Sequence, residues 1–329
     1  LYGLDIDDRA AQMAYFVVMM KGCHYDSRFL RRHLKPHVYA IQESGELTTD
    51  ALGRLGKQES TARALLDGFK NAKEYGSILQ PKVTLAELDA LQEQLREVDG
   101  ASDMGSFTDQ FVAGQLLRVL CPLVEQARML VQKYDVVVTN PPYMGGSGMN
   151  GHLSDYVKKV YPDSKSDLFA VFIERCAQMD KRGGYQAMIT QHAWMFLSSF
   201  EKLRAKLLLI DTVNMAHLGA RGFDEIGGEG EKAKAEMFVS GENQYIAKQE
   251  NYMKIPGLAY AYWLSQKWLD LFCEKKICSY GAAQEGIKTG KNELFLRNWQ
   301  EIDINRSNIF SNDNQKSKWY KTAKAGEHR

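Results

Sequence analysis

Residues Tyr134 to Tyr143 read Y-D-V-V-V-T-N-P-P-Y, and the reading of the whole chain starts from them. The β-branched run predicts a buried strand. Neither Pro141 nor Pro142 can donate to a ladder, so the strand must stop in a rigid loop. An Asn-Pro-Pro-aromatic loop at the end of a parallel strand suits chemistry on a planar, conjugated NH2 group, whose delocalised lone pair makes it a poor nucleophile. The Asn140 side-chain oxygen and the Pro141 carbonyl are two acceptors for its two hydrogens, and they draw the nitrogen toward tetrahedral geometry. The prolines fix φ and hold those acceptors before a substrate arrives. Tyr143 supplies a flat face for the ring that bears the amine, a contact worth about 1–3 kcal/mol per base.

The remaining composition sets bounds. With 329 residues and 44% hydrophobic content the chain is long enough for one large or two ordinary domains. No run approaches the roughly 18 apolar residues of a membrane span, and Leu1-Tyr2-Gly3 resembles neither a signal peptide nor a translation start, so the sequence reads as a piece of a longer protein. A net charge of +1 supplies no global field for nucleic acid, so DNA contacts must come from local patches. The five cysteines form no CxxC pair and stand apart from the histidines, so neither zinc nor a disulfide framework is expected, and a reducing cytoplasm fits.

Along the chain, L-Y-G-L-D-I-D-D reads as a short strand ending in acids, followed by a helix from Arg9 to about Lys21. In a doubly wound sheet an acid at the end of the second strand accepts both ribose hydroxyls of a nucleoside cofactor, which makes Asp5 a candidate; Asp7 and Asp8 read as helix caps. From Cys23 to Gln132 the pattern is mostly helical, with a possible strand at His37. G-G-S-G-M-N-G from Gly145 is either a closing loop with free backbone NH groups or an unstructured surface loop. Tyr185 to Thr190 reads as a buried strand, Phe196 to Leu209 as a helix, Thr212 to Leu218 as a strand, and Ala259 to Phe272 as a helix. His192 is assigned to structure, because no partner is visible and an amine that has reacted can lose its proton afterwards.

The Asn140 loop is similar to the catalytic motif of S-adenosylmethionine-dependent amino-methyltransferases. Its continuation, with K-S-D-L-F-A-V-F-I-E from Lys165, G-Y-Q-A-M-I-T-Q-H-A-W-M-F from Gly184 and H-L-G-A-R-G-F-D-E-I-G-G-E from His217, resembles the BREX-type N6-adenine DNA methyltransferases, relatives of the type IIG restriction-modification enzymes. The resemblance implies an α/β fold: a doubly wound, Rossmann-like methyltransferase sheet over residues 1–256, interrupted by a large helical insertion at about 23–132. A linker helix and the start of a target-recognition domain occupy 257–329. It implies S-adenosylmethionine as cofactor, held by Asp5, Ile6 and either Asn71 or Glu74, with Asp167 and Phe169 lining the pocket. The Gly-rich cofactor turn of such enzymes would precede Leu1. Phe223 would pack against an extruded adenine, and Lys288, Thr289, Lys291 and Asn292 would contact phosphates or base edges of double-stranded DNA. No metal is needed, and other phage-defence proteins are possible partners. After Phe223 the family pattern calls for a hydrophobic strand, where this chain has polar G-E-K-A-K-A-E. Two other readings stay open: a protein-glutamine amide methyltransferase with the same loop, and a non-catalytic DNA-binding subunit.

Overall fold

The structure is a computed structural model that describes residues 1–102, 106–218, 231–241, 244–275, 279–281, 297, 301–303, 306–308 and 319–320. Two compact units divide the chain, 1–273 and 274–329. In the first, strand β1 (Tyr2–Asp5) leads through helix α1 (Asp8–Tyr25) to β2 (His37–Ala40), which pairs with β1 in parallel, Tyr2 opposite His37 and Asp5 opposite Ala40. α1 starts where Asp7 accepts hydrogen bonds from the backbone NH groups of Arg9 and Ala10, which satisfies two donors the helix cannot pair itself.

A helical block follows: α2 (Thr49–Gly53), α3 (Glu59–Gly68), α4 (Ala72–Tyr75), α5 (Leu85–Ser102) and α6 (Phe107–Val131). α6 opens on a reciprocal capping box between Ser106 and Asp109. The spacing Leu88, Leu91, Leu95 on α5 faces Leu116, Leu120, Leu123 and Ala127 on α6, and all seven are buried in one core. Each such leucine contributes about 1.5–3 kcal/mol by leaving water.

β3 (Tyr134–Thr139) then runs through α7 (Gly151–Val160) and α8 (Leu168–Met179) to β4 (Asp180–Met188), again parallel, with Val136 opposite Tyr185 and Thr139 opposite Met188. The register shifts between Tyr134 and Val136, where β4 spends extra residues on Lys181–Gly184. Gly183 has φ +79°, and a Cβ on Gly184 would stand 3.0–3.1 Å from the carbonyl oxygens of Lys181, Asp135 and Tyr134, so both positions require glycine. Beyond lie α9 (Glu201–Leu207), α10 (Glu231–Ser240) and α11 (Gln266–Leu271). In the second unit, β5 (Ser307–Asn308) pairs in parallel with β6 (Trp319–Tyr320).

Among the described residues the strands form parallel two-stranded ladders in a mixed helix-and-sheet arrangement. Several finer expectations are corrected. The rings of Tyr2 and Tyr134, at the first residues of β1 and β3, meet at 5.4 Å, with no backbone ladder between those strands. The β3–β4 pair is not fully buried: Val136, Val138 and Tyr185 share one face and are 57–72% exposed. The segment from Thr212 forms no strand, because the Gln249 side chain takes the Thr212 NH that a ladder would use. The same side chain donates to the carbonyls of Leu207 and Ile210, and the helix expected to reach Leu209 ends at Leu207. Residues 259–265 are not helical, since the Tyr260 NH donates to the Met195 carbonyl. The polar stretch that replaces the family's hydrophobic strand forms α10.

Candidate functional site

The loop after β3 lies beside the turn after β4, at the carboxyl ends of adjacent parallel strands, where open α/β sheets bind ligands. Asn140 is exposed, and among the described residues nothing engages its side-chain amide. Pro141 behind it is buried, while Pro142 is exposed. Tyr143 is 44% exposed; its hydroxyl donates to the Ile189 carbonyl at 3.3 Å, and its ring meets that of Phe169 edge-on at 6.3 Å. The loop is therefore anchored at both ends, with the amide of Asn140 left over.

Asp167 and Phe169 are placed as supports of this loop. Asp167 caps α8 by accepting from the Phe169 NH and, through the same oxygen, accepts from the Met144 NH at 3.1 Å. The Leu168 NH donates to the Met144 carbonyl, and the Gly146 NH to the Ser166 carbonyl. Gly148 NH is also engaged, by the Gly145 carbonyl. The glycine-rich run thus has NH groups committed at Gly146 and Gly148, which corrects the expectation that they are free. Phe169 is buried to 1% between Tyr143 and Phe200 and faces no open space.

The other candidates gather at the end of β1. The Asp5 carboxylate is exposed and accepts from the Asp7 NH through one oxygen. Ile6 is 53% exposed, and its Cγ2 would lie 3.0 Å from a Cβ on Gly76. Lys73 pairs with Asp8 at 2.9 Å; that bond, then the one from Gln42, holds the Asp8 carboxyl below its ordinary range. Asp5, Ile6 and the stretch Asn71–Gly76 are thereby brought to one place. Within that stretch the Asn71 amide approaches the Tyr75 hydroxyl at 3.4 Å, and Glu74 is exposed.

Both groups of candidates are tied to α7 and α8. Tyr75 stacks on Tyr156 at 4.2 Å, and Tyr161 donates to the Ile78 carbonyl at 2.6 Å. The Arg175 guanidinium, 6% exposed, donates to the carbonyls of Ser77, Leu79 and Leu130. Burial lowers its pKa from the usual guanidinium value. Sequence reasoning missed this cation, since its partners are backbone carbonyls 45 to 98 residues away. Phe223, Lys288, Thr289, Lys291 and Asn292 lie outside the described residues. Among the described residues no group of three or more His, Cys, Asp or Glu could hold a metal ion, and no helix is long and apolar enough to cross a membrane.

Comparison with known proteins bears on this geometry. The pattern of the family described as Eco57I restriction-modification methylase matches residues 1–217. Over its full length the chain is 34% identical to a protein named adenine-specific methyltransferase BrxX from Escherichia coli O9:H4 (strain HS). It is also 34% identical, over its full length, to one named adenine-specific methyltransferase PglX from Lacticaseibacillus casei (strain Zhang). The chain spans 31% of the length of each of these relatives.

Proposed function

Because the chain belongs to the Eco57I restriction-modification methylase family, we propose that it is part of a transferase that moves a methyl group from S-adenosylmethionine to the exocyclic N6 amine of adenine in double-stranded DNA. The observation that carries this reading is Asn140, an exposed amide without a partner among the described residues, on a loop anchored by buried Pro141 and by Tyr143. In water such an acceptor would have to reorganise; here it is held before the substrate arrives. The amine would donate one hydrogen to the Asn140 oxygen and the other to the Pro141 carbonyl, which frees its lone pair. Tyr143 would take one face of the ring, with Phe223 proposed for the other. Adenine must leave the stack to reach this loop, at a cost of a few kcal/mol that stacking offsets.

The residues at the end of β1 fit the adenosine half of the cofactor. Asp5 offers a carboxylate with one oxygen uncommitted, Ile6 an exposed apolar side chain for a base, and Asn71 and Glu74 polar groups close by. When bound, S-adenosylmethionine supplies an electrophilic methyl on a sulfonium. We read the two parallel pairs as halves of one doubly wound sheet, a view supported by their helical crossovers and by the contact of Tyr2 with Tyr134. Residues Lys288, Thr289, Lys291 and Asn292 are proposed for DNA contact, and restriction-modification or phage exclusion for the biological setting.

The test is methyl transfer by the longest available form of the protein onto adenine-containing duplex DNA, with nucleoside analysis of the product. N6-methyladenine is expected, and Asn140→Ala should lower turnover about 10²–10³-fold, as removal of one preorganised transition-state contact does. Near-normal turnover by that variant, or transfer to a protein side chain in place of DNA, would overturn the reading.

A further inference from the structure

A second group of rings stands at the carboxyl end of β4. The turn after the strand, His192–Met195, and its continuation to Phe196 meet the segments around His217 and Tyr262. The ring of His192 lies 5.3 Å from that of His217, and Phe196 lies 5.7 Å from Trp263. Tyr262 touches Trp263 at 4.9 Å and Tyr245 at 5.4 Å, and its hydroxyl is 3.1 Å from His217 Nδ1. These rings are not the core of this region. Trp194 and Met195 turn inward to that core, where Trp194 meets Tyr260 at 4.9 Å, while Phe196, Tyr245 and Trp263 stay 36–49% exposed.

A buried cation anchors the turn at one side of the cluster. Arg204, 1% exposed, donates to the carbonyls of Trp194 and Leu197 at 2.7 Å and, through Nε, to that of Gly257 at 2.8 Å. One guanidinium therefore ties the turn that carries Phe196 to the backbone at Gly257. Burial first, and His192 second, lower the pKa of His217 and so favour its uncharged ring.

We propose that His192, Phe196, His217, Tyr245, Tyr262 and Trp263 form a stacking surface for an unpaired nucleobase other than the one that enters the Asn140 loop. It rests on the DNA reading above, on flat faces open to solvent and on a position at the carboxyl end of the strand next to β3. A base that leaves a duplex deprives its neighbours and its former partner of their stacking contacts, and aromatic side chains replace these without regard to sequence.

The probe is a short oligothymidylate, because thymine has no exocyclic amine and its binding is independent of methyl transfer. Fluorescence anisotropy with this chain should show saturable binding. Trp263→Leu should weaken it about tenfold, the loss of one base–aromatic contact, whereas Trp263→Phe should retain most of it. Trp268→Leu, at an exposed tryptophan outside the cluster, should leave it unchanged. If Trp263→Leu fails the circular-dichroism check of folding, Tyr245→Ser at the exposed margin serves instead, with a several-fold loss expected. Absence of binding by the unaltered chain, or unchanged binding by the folded variants, would overturn the proposal. Oligothymidylate binding without any methylation of DNA would break the transferase reading alone; methylation without oligothymidylate binding would break this one alone.

Discussion

The helical block and the β3–β4 pair are equally apolar in sequence and opposite in environment. On α5 and α6, Leu91, Leu116 and Leu120 are wholly buried against one another. On β3, Val136 and Val138 are 57% and 72% exposed, although the run V-V-V is as hydrophobic as anything in the helices. The block closes its own core, because two amphipathic helices laid side by side bury both stripes. A strand pair has two faces, and α8 contributes Phe169, Ala170 and Ile173 to the core on one side only. The block therefore closes a core of its own, whereas the proposed chemistry sits at the ends of strands left open on one face.

That contrast can be broken by substitution. Leu120→Ala in the block should cost about 2–5 kcal/mol, from lost transfer energy and a cavity, visible as a lower midpoint in urea at unchanged slope. Asn140→Ala should do the reverse, with a stability change within about 0.5 kcal/mol beside its large loss of turnover. A strongly destabilised Asn140→Ala would mean that the loop is part of the framework. Asp167→Ala falls between the two. It removes a helix cap worth about 1 kcal/mol together with the bond to Met144, so thermal melting should register the first and faster amide exchange at Met144 the second.

Two smaller effects sharpen the comparison. Burial raises the pKa of Asp180 against a weaker opposing pull from Lys133, and its Oδ1 is buried without a partner. A raised folded pKa means stability that is full below the unfolded value and lost as pH rises through the folded one. Asp180→Asn should accordingly raise the melting temperature at neutral pH, with the gain vanishing in acid. A gain that persists at low pH would contradict this assignment. Val138→Thr should change the stability of this chain by less than about 0.5 kcal/mol, as expected at an open position. A cost of several times that would show that the face is covered.

The sequence by itself determined the features that act over a few residues. Pro141 and Pro142 stop β3 because a missing NH is a local fact, and Asp7 caps α1 because its carboxylate reaches NH groups two and three residues on. The mostly helical pattern from Cys23 to Gln132 is legible for the same reason. Only the tertiary structure decided what depends on distant partners. Asp167 entered only through the resemblance, as a pocket residue, whereas its bond to Met144 spans 23 residues. The segment at Thr212 has strand-like composition, but Gln249, 37 residues on, takes the NH that would have built the ladder. Likewise Phe196 and Trp263 carry no periodic signal, since Arg204 ties the turn that carries Phe196 to the backbone at Gly257 through carbonyls that every residue possesses. Local sterics and hydrogen bonds are written residue by residue. Burial, and the company a side chain keeps, is set by whatever the rest of the chain places against it.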